Sequence, residues 1–219
     1  MAGRTIAIGD IHGCAAALDT LLREITPASS DTIVTLGDYI DRGPDSRDVL
    51  EQLLSLSNEC ELIPLLGNHE VMLLIAREHH EELDFWLSCG GRETLESYGG
   101  ALDTIPPSHL EFLEQCVASY ETSTHLFLHA NYAATLPLED QTEHTMFWKH
   151  LTTEMPKPHM SGRIAVVGHT PQVNGEILDV GHLVCIDTFC YGNGRLTALD
   201  VDTRRLWQVD RDGKLWKAP

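Results

Sequence analysis

The sequence predicts an α/β fold built on a β-sheet core flanked by helices, with one helical insertion, and three observations predict it. A β-rich run is followed by a polar loop and a helical pattern three times in the first seventy residues. Each polar loop falls at a strand C-terminus, where open α/β sheets bind ligands. After a polar helical stretch at about 71–123, the β pattern returns and runs to the end.

The first run, "TIAIG" (5–9), ends in "DIHG" and leads into a helix carrying Leu18, Leu21, Leu22 and Ile25 on one face. The second, "TIVTL" (32–36), ends in "GDYIDRG" and leads into a helix with Val49, Leu50, Leu53 and Leu54. Pro44 with Asp45 or Ser46 suits the start of that helix. The third, "ELIPLL" (61–66), ends in "GNHE" and leads into "VMLLIA". Such alternation predicts β-α-β crossovers and a largely parallel, buried sheet. Residues 71–123 read as a helical insertion or cap, in which Gly90–Gly91 marks a helix break and the acidic "EHHEELD" (78–84) a solvated face. Strand patterns resume at "HLFLHA" (125–130) and "RIAVVGH" (163–169). The closing "EILDVGHLVCIDT" and "GRLTALDVDTRRLWQVD" predict antiparallel hairpins. With no repeat or low-complexity linker, residues 1–219 are expected to form one domain.

Composition excludes several classes. With 15 basic and 33 acidic residues the net charge is −18, a surface that repels nucleic acid and anionic membranes. There is no run of about 18 apolar residues, so no membrane span is expected. The opening "MAGRTIAIGD" enters a strand at once and lacks a signal-peptide layout. Six cysteines are scattered without a C-x-x-C pair, which reads as reduced, mostly buried thiols of a cytoplasmic protein, with Cys89 the one expected nearest the surface.

The polar residues that follow the β runs are Asp10, His12, Asp38, Asp41, Arg42, Asn68, His69, His129 and His169. Carboxylate, imidazole and amide donors without cysteine suit a hard or borderline divalent ion such as Mn²⁺, Fe²⁺ or Zn²⁺, and disfavour a structural zinc site. Asp10 and His12 are two residues apart on an extended segment, so both can point one way. The donors outnumber what one catalytic ion with open positions takes, and two ions sharing a carboxylate fit better. Two such ions would turn a bridging water into a hydroxide nucleophile for phosphate-ester hydrolysis. An arginine fork matches phosphate bidentately, and a histidine can protonate a departing alkoxide. Arg42 and His69 are available for those roles.

Taken in order, "GDIHG" (9–13), "GDYIDRG" (37–43), "GNHE" (67–70), "HAN" (129–131) and "GHT" (168–170) resemble the phosphoprotein phosphatase family of metallophosphoesterases. "GGRETLESYG" (90–99) and "CIDTFCYGNGRLTAL" (185–199) are similar to its bacterial serine/threonine phosphatase-like branch. The resemblance implies the calcineurin-like metallophosphoesterase fold and two divalent ions, Mn²⁺ first, with Fe or Zn as alternatives. It further implies that Asp10, His12 and a bridging Asp38 bind one ion, and Asp38, Asn68, His129 and His169 the other. In the same way, it implies His69 as general acid, Asp41 as its orienting partner and Arg42 as the phosphate grip, with Asn68 also close to the substrate. Two departures stand out. Asn131 occupies a position where relatives have glycine, which predicts a reshaped cleft near His129. "FWKH" replaces the Trp-x-Arg context of a second phosphate-binding arginine, leaving Lys149, His150 or Arg163 as substitutes, with Lys149 the first choice.

The expected substrate is a phosphorylated protein or peptide, on serine or threonine first, with tyrosine kept open. The alternatives are a dinucleoside polyphosphate such as diadenosine tetraphosphate, or a metal-binding adaptor without catalysis. The other eight histidines read as surface or packed residues, and Trp86, Trp148, Trp207 and Trp216 as packing anchors.

Overall fold

The computed structural model describes residues 3–216. Strands β1 (Thr5–Ile8), β2 (Thr32–Thr35) and β3 (Glu61–Pro64) pair in parallel and lead into α1 (Ala15–Ile25), α2 (Ser46–Leu56) and α3 (Asn68–Glu78). Three short helices follow: α4 (Leu83–Trp86), α5 (Arg92–Ser97) and α6 (Pro107–Glu114). The remaining strands are β4 (Ser119–Glu121), β5 (His125–Leu128), β6 (Ile164–Val167), β7 (Leu178–Asp179), β8 (Leu183–Cys185), β9 (Leu196–Asp200) and β10 (Leu206–Val209). They form two five-stranded sheets, ordered β10-β9-β1-β2-β3 and β4-β5-β6-β8-β7.

Both sheets are mixed, which corrects the expectation of one largely parallel sheet. β1, β2 and β3 are parallel, and so are β5, β6 and β8, but β9, β10, β4 and β7 pair antiparallel at the flanks. The two closing hairpins, β7–β8 and β9–β10, are antiparallel as their turn residues predict. β4 was hidden inside the segment read as helical. It is a three-residue flanking strand, "SYE", too short and too polar to show alternation.

Period-two alternation sorts each strand's side chains between layers. Ala7, Val34, Leu36 and Leu199 of the first sheet meet Phe127, Val166, Val184 and Ile186 of the second in one shared core. The intervening residues Ile6, Ile8 and Ile33 face α1 and α2, whose Leu18, Leu21, Val49 and Leu53 complete a second core. Leu126, Leu128, Ala165 and Val167 point the other way, onto Tyr132, Phe147 and Leu151. Each fully buried Leu, Ile or Phe adds about 1.5–3 kcal/mol, so the sheet-to-sheet layer is a large part of the stability. Its geometric result is that the carboxyl ends of β1, β2, β5 and β6 converge on one place. Among the described residues, no helix is long and apolar enough to cross a membrane.

Candidate metal centre

The loops after β1, β2, β5 and β6, with the first turn of α3, supply every ligand candidate. Ile11 and His12 donate backbone N–H bonds to the Asp38 carbonyl (3.0 and 2.8 Å), tying the first loop to the second. Gly168 donates to the His129 carbonyl at 2.7 Å, tying the two loops of the second sheet. His169 N–H reaches the Asp10 carboxylate (3.0 Å to Oδ2), which joins the sheets. Gly37 has φ 93°, and a Cβ there would lie 2.6 Å from Gly67 N, so only glycine allows the β2 loop to approach α3 this closely.

The backbone is strained where the motifs lie. Of eight non-glycine residues with positive φ among the described residues, five are His12, Asp38, Asp41, Arg42 and His169. Such conformations persist only where the surroundings over-determine them, and they concentrate at functional sites. Glu70 is one such constraint. Fully buried, it accepts N–H bonds from Asp38 (2.8 Å), Tyr39 (2.8 Å) and Gly67 (3.0 Å), clamping the β2 loop onto α3. Burial and the charge of Asp38 push its carboxyl up to about 8 against those bonds.

Asp38, His12, His69, His129, Asn68 and His169 surround one point. Asp38 Oδ2 lies 3.4 Å from His12 Nε2 and 4.0 Å from His69 Nε2, while Oδ1 lies 3.4 Å from His129 Nε2. The Asn68 oxygen sits 3.0 Å from His129 Nε2 and 2.9 Å from His169 Nδ1. Asp10, Asp38, His12, His129 and Asn68 are all buried, and His169 is only 9% exposed.

The donor chemistry fits cations. His129 Nδ1 faces the Leu36 carbonyl at 2.7 Å, so its proton is on Nδ1 and the Nε2 lone pair points at Asn68 and Asp38 oxygens. His12 Nδ1 likewise faces the Ile40 carbonyl at 2.9 Å, leaving Nε2 as an acceptor. Lone pairs facing lone pairs at such distances call for a positive charge between them. Burial holds His12 and His129 below the ordinary imidazole range, and burial with the neighbouring His129 takes His169 to about 3, so all three offer neutral nitrogens. Burial alone would raise Asp38, and positive charge beside it, which the His69 imidazolium supplies once the other three rings are neutral, pulls its carboxyl below the ordinary range. Two trios, His12–Asp38–His69 and Asp38–His129–His169, have ligand atoms close enough to hold an ion, and Asp38 belongs to both.

Within the first trio, His69 Nδ1 is 2.7 Å from Asp41 Oδ2. Burial opposes the imidazolium, yet Asp38 and the Asp41 hydrogen bond outweigh it and raise the His69 pKa. Arg42 places NH1 3.2 Å from His12 Nε2 and its guanidinium 4.7 Å from the centre of the Tyr191 ring. Tyr191 also packs edge-on against His12, at 4.8 Å between ring centres.

The substitutes for a second arginine separate. Lys149 is engaged by Glu154 (2.6 Å) and Arg163 by Glu121 (2.6 Å), whereas the His150 ring lies 4.4 Å from that of His169. Lys149, the first choice from sequence, thus has its ammonium on a surface carboxylate. Asn131 is buried, with its amide donating to the Glu154 carbonyl and its oxygen accepting from Tyr132 N–H, so it fastens a loop. Sequence reasoning missed Glu70, Tyr191 and Asp187, the last a buried carboxyl that burial lifts to about 7. "CIDT" after a β run was the available signal for Asp187, because it repeats the acid-after-strand pattern of the other loops.

The sequence model of the calcineurin-like phosphoesterases matches residues 3–202. The chain belongs to that family. This phosphoesterase is 33% identical over 199 residues to serine/threonine-protein phosphatase 1 of Salmonella typhimurium, covering 87% of the chain and 88% of that relative. It is 44% identical over 71 residues to the symmetrical bis(5'-nucleosyl)-tetraphosphatase of Proteus mirabilis, which spans 32% of the chain and 25% of that relative. Among solved structures, one provisionally assigned as a diadenosine tetraphosphatase superposes with a TM-score of 0.73 at 24% identity, over 95% of the chain and 94% of its own. That likeness is one of fold.

Proposed function

We propose that the chain is a metal-dependent phosphomonoesterase acting on phosphorylated protein side chains, serine and threonine first. The observation that carries the reading is that one guanidinium, Arg42, stands over the cluster while Lys149 and Arg163 are paired with surface carboxylates. One fork grips one phosphoryl group. Four linked phosphates on a chain of net charge −18 would want more cations than that.

Asp10, His12 and Asp38 would hold one divalent ion, and Asp38, Asn68, His129 and His169 a second, with Mn²⁺ the first choice for an oxygen and nitrogen set. Bound there, the ions supply Lewis-acid neutralisation of phosphoryl charge and a lowered water pKa. The chain's own residues do the rest. Arg42 orients the phosphate, with Asn68 beside it. His69 gives its Nε2 proton to the departing serine or threonine alkoxide, and Asp41 keeps the opposite ring nitrogen protonated and the ring aimed. A complete acid dyad has no purpose in a metal-binding adaptor, which argues against that alternative. Six free cysteines fit work in a reducing compartment such as the cytoplasm.

The second reading is hydrolysis of dinucleoside tetraphosphates, favoured by the 44% identity over 71 residues. The test compares kcat/KM for phosphoserine, phosphothreonine and phosphotyrosine peptides with that for diadenosine tetraphosphate on one Mn²⁺-loaded preparation. Preference for a phosphopeptide is expected, and preference for the dinucleotide overturns the reading.

A further inference from the structure

The segment from Trp86 to Thr94 looks from sequence like part of a cap, yet its polar groups point inward at two residues. Trp86 is fully buried and donates Nε1–H to Asp41 Oδ2 at 2.9 Å. Thr94, also fully buried, donates its hydroxyl proton to Asp41 Oδ1 at 2.7 Å and accepts the Asp41 backbone N–H at 2.8 Å. That single proton being committed, the 3.0 Å contact with Ser46 must run from the Ser46 hydroxyl to Thr94. Ser46 in turn accepts from Asp41 N–H at 3.1 Å. Asp41 thus has both carboxylate oxygens and its N–H fully satisfied, with His69 taking one further lone pair at 2.7 Å.

Arg42 is held by the same segment. Its backbone N–H donates to the Gly90 carbonyl at 3.1 Å. Gly90 has φ 117°, and a Cβ there would come within 2.7 Å of Arg42 Cγ and 2.8 Å of Arg42 N, so glycine is required for the contact. Gly91 packs so tightly on Trp86 that a Cβ would lie 2.4 Å from the indole. Asp41 and Arg42 are consecutive residues with φ 72° and 67°, a conformation that isolated L-residues rarely hold. Besides the local bond to Ser46, the bonds from Trp86, Gly90 and Thr94 hold it, across 45 to 53 residues of sequence.

We infer that the Trp86–Thr94 segment is a positioning element for Asp41 and Arg42, aiming the His69 acid through one and the phosphate fork through the other, and that this is the purpose of its Trp, Gly-Gly and Thr. It deepens the reading above and rests on it for the roles of His69 and Arg42. A two-sided split follows that a merely structural segment does not give. Thr94→Val and Trp86→Phe, which keep bulk but remove the donors, lower kcat on a phosphoserine peptide by about 10–100-fold, as small misplacements do, and p-nitrophenyl phosphate turnover much less. Their affinity for inorganic phosphate, read by calorimetry, stays near that of the parent. Thr94→Ser, which keeps the hydroxyl, recovers most of the rate. Gly90→Ala does the reverse, raising KM on both substrates and weakening inorganic phosphate binding by about tenfold or more.

Melting temperature and metal content are measured on every variant. Equal losses on both substrates in Thr94→Val and Trp86→Phe, with His69→Asn still sensitive to the leaving group, overturn the inference and leave the reading standing. If His69→Asn itself shows no leaving-group sensitivity, the acid role falls, and the inference is decided by the Arg42 arm. Unchanged phosphate affinity in Gly90→Ala then overturns it, and weakened affinity upholds it for Arg42.

Discussion

His69 Nδ1 lies 2.7 Å from Asp41 Oδ2, and neither side chain exposes more than 1% of its surface. The pair fixes which ring nitrogen carries a proton toward Asp41 and leaves Nε2 facing the cluster. His69→Asn is therefore expected to slow hydrolysis of a phosphoserine peptide by about 10²–10⁴-fold. Nitrophenolate leaves without protonation, so p-nitrophenyl phosphate should suffer much less. Parallel assays of the two substrates decide it, and equal losses would assign His69 to structure or metal binding.

Asp38 belongs to both trios of potential ligands. Asp38→Asn should lower bound metal from about two ions per chain to one or fewer and reduce turnover more than any other single ligand change. Elemental analysis after Mn²⁺ loading reads this directly. Two ions retained with near-normal turnover would remove Asp38 as the bridge.

Arg42 is held by Tyr191 on one side and the Gly90 carbonyl on the other. Arg42→Lys keeps the charge but loses the fork, so KM for the phosphopeptide should rise about tenfold or more while kcat falls less. A KM unchanged within twofold would place phosphate recognition elsewhere, with His150 the next residue to test.

Asp31 gives a pH-dependent contribution to stability away from the site. It accepts from Arg4 Nε (3.1 Å) and from the backbone N–H of Arg4 and Ala28 (2.9 Å each). The Arg4 guanidinium, foremost, holds the carboxyl down at about 2. A folded-state value below the unfolded one means the stabilisation is complete above the ordinary aspartate range and is lost as pH falls through about 4 toward 2. The parent should therefore lose about 1–2 kcal/mol more than Asp31→Asn between pH 5 and pH 2.5, measured by urea denaturation. Identical slopes for the two would show that the pair contributes nothing.

The strand-loop-helix repeats and the ligand-bearing loops were legible because each is a local pattern: an apolar run, then acids or histidines, then a helical face. "GDYIDRG" and "GNHE" needed nothing beyond their own neighbours to be recognised as strand-end loops. Trp86 and Thr94 were not legible in the same way. Their meaning lies in bonds to Asp41 across 45 and 53 residues, and no periodicity encodes such a contact. The division into two sheets was hidden for a related reason. Phe127 and Ala7 share a core only after the sheets face each other, and alternation within a strand says which face is apolar but not what covers it. Lys149 was the first choice because "FWKH" stands where relatives have a Trp-x-Arg context, and its pairing with Glu154 is a contact that no such context encodes.

The position of β1 has a consequence for synthesis. It lies between β2 and β9, pairing Thr5 with Thr32 on one side and Ile6 with Asp200 on the other. A ribosome adding about 5–20 residues per second leaves the second edge of β1 open for roughly 10–40 s before β9 emerges. During that interval the free edge of β1 is a template for other chains, and until His169 emerges the Asp10 loop has no partner from the second sheet to close against. Nascent chains stalled before Leu196 should be cut by protease within the first sheet, and those stalled well beyond Val209 should resist. The Asp10 and His169 loops lie on different sheets, so the cluster can close only once β6 and the His169 that follows it, 159 residues after Asp10, have left the ribosome.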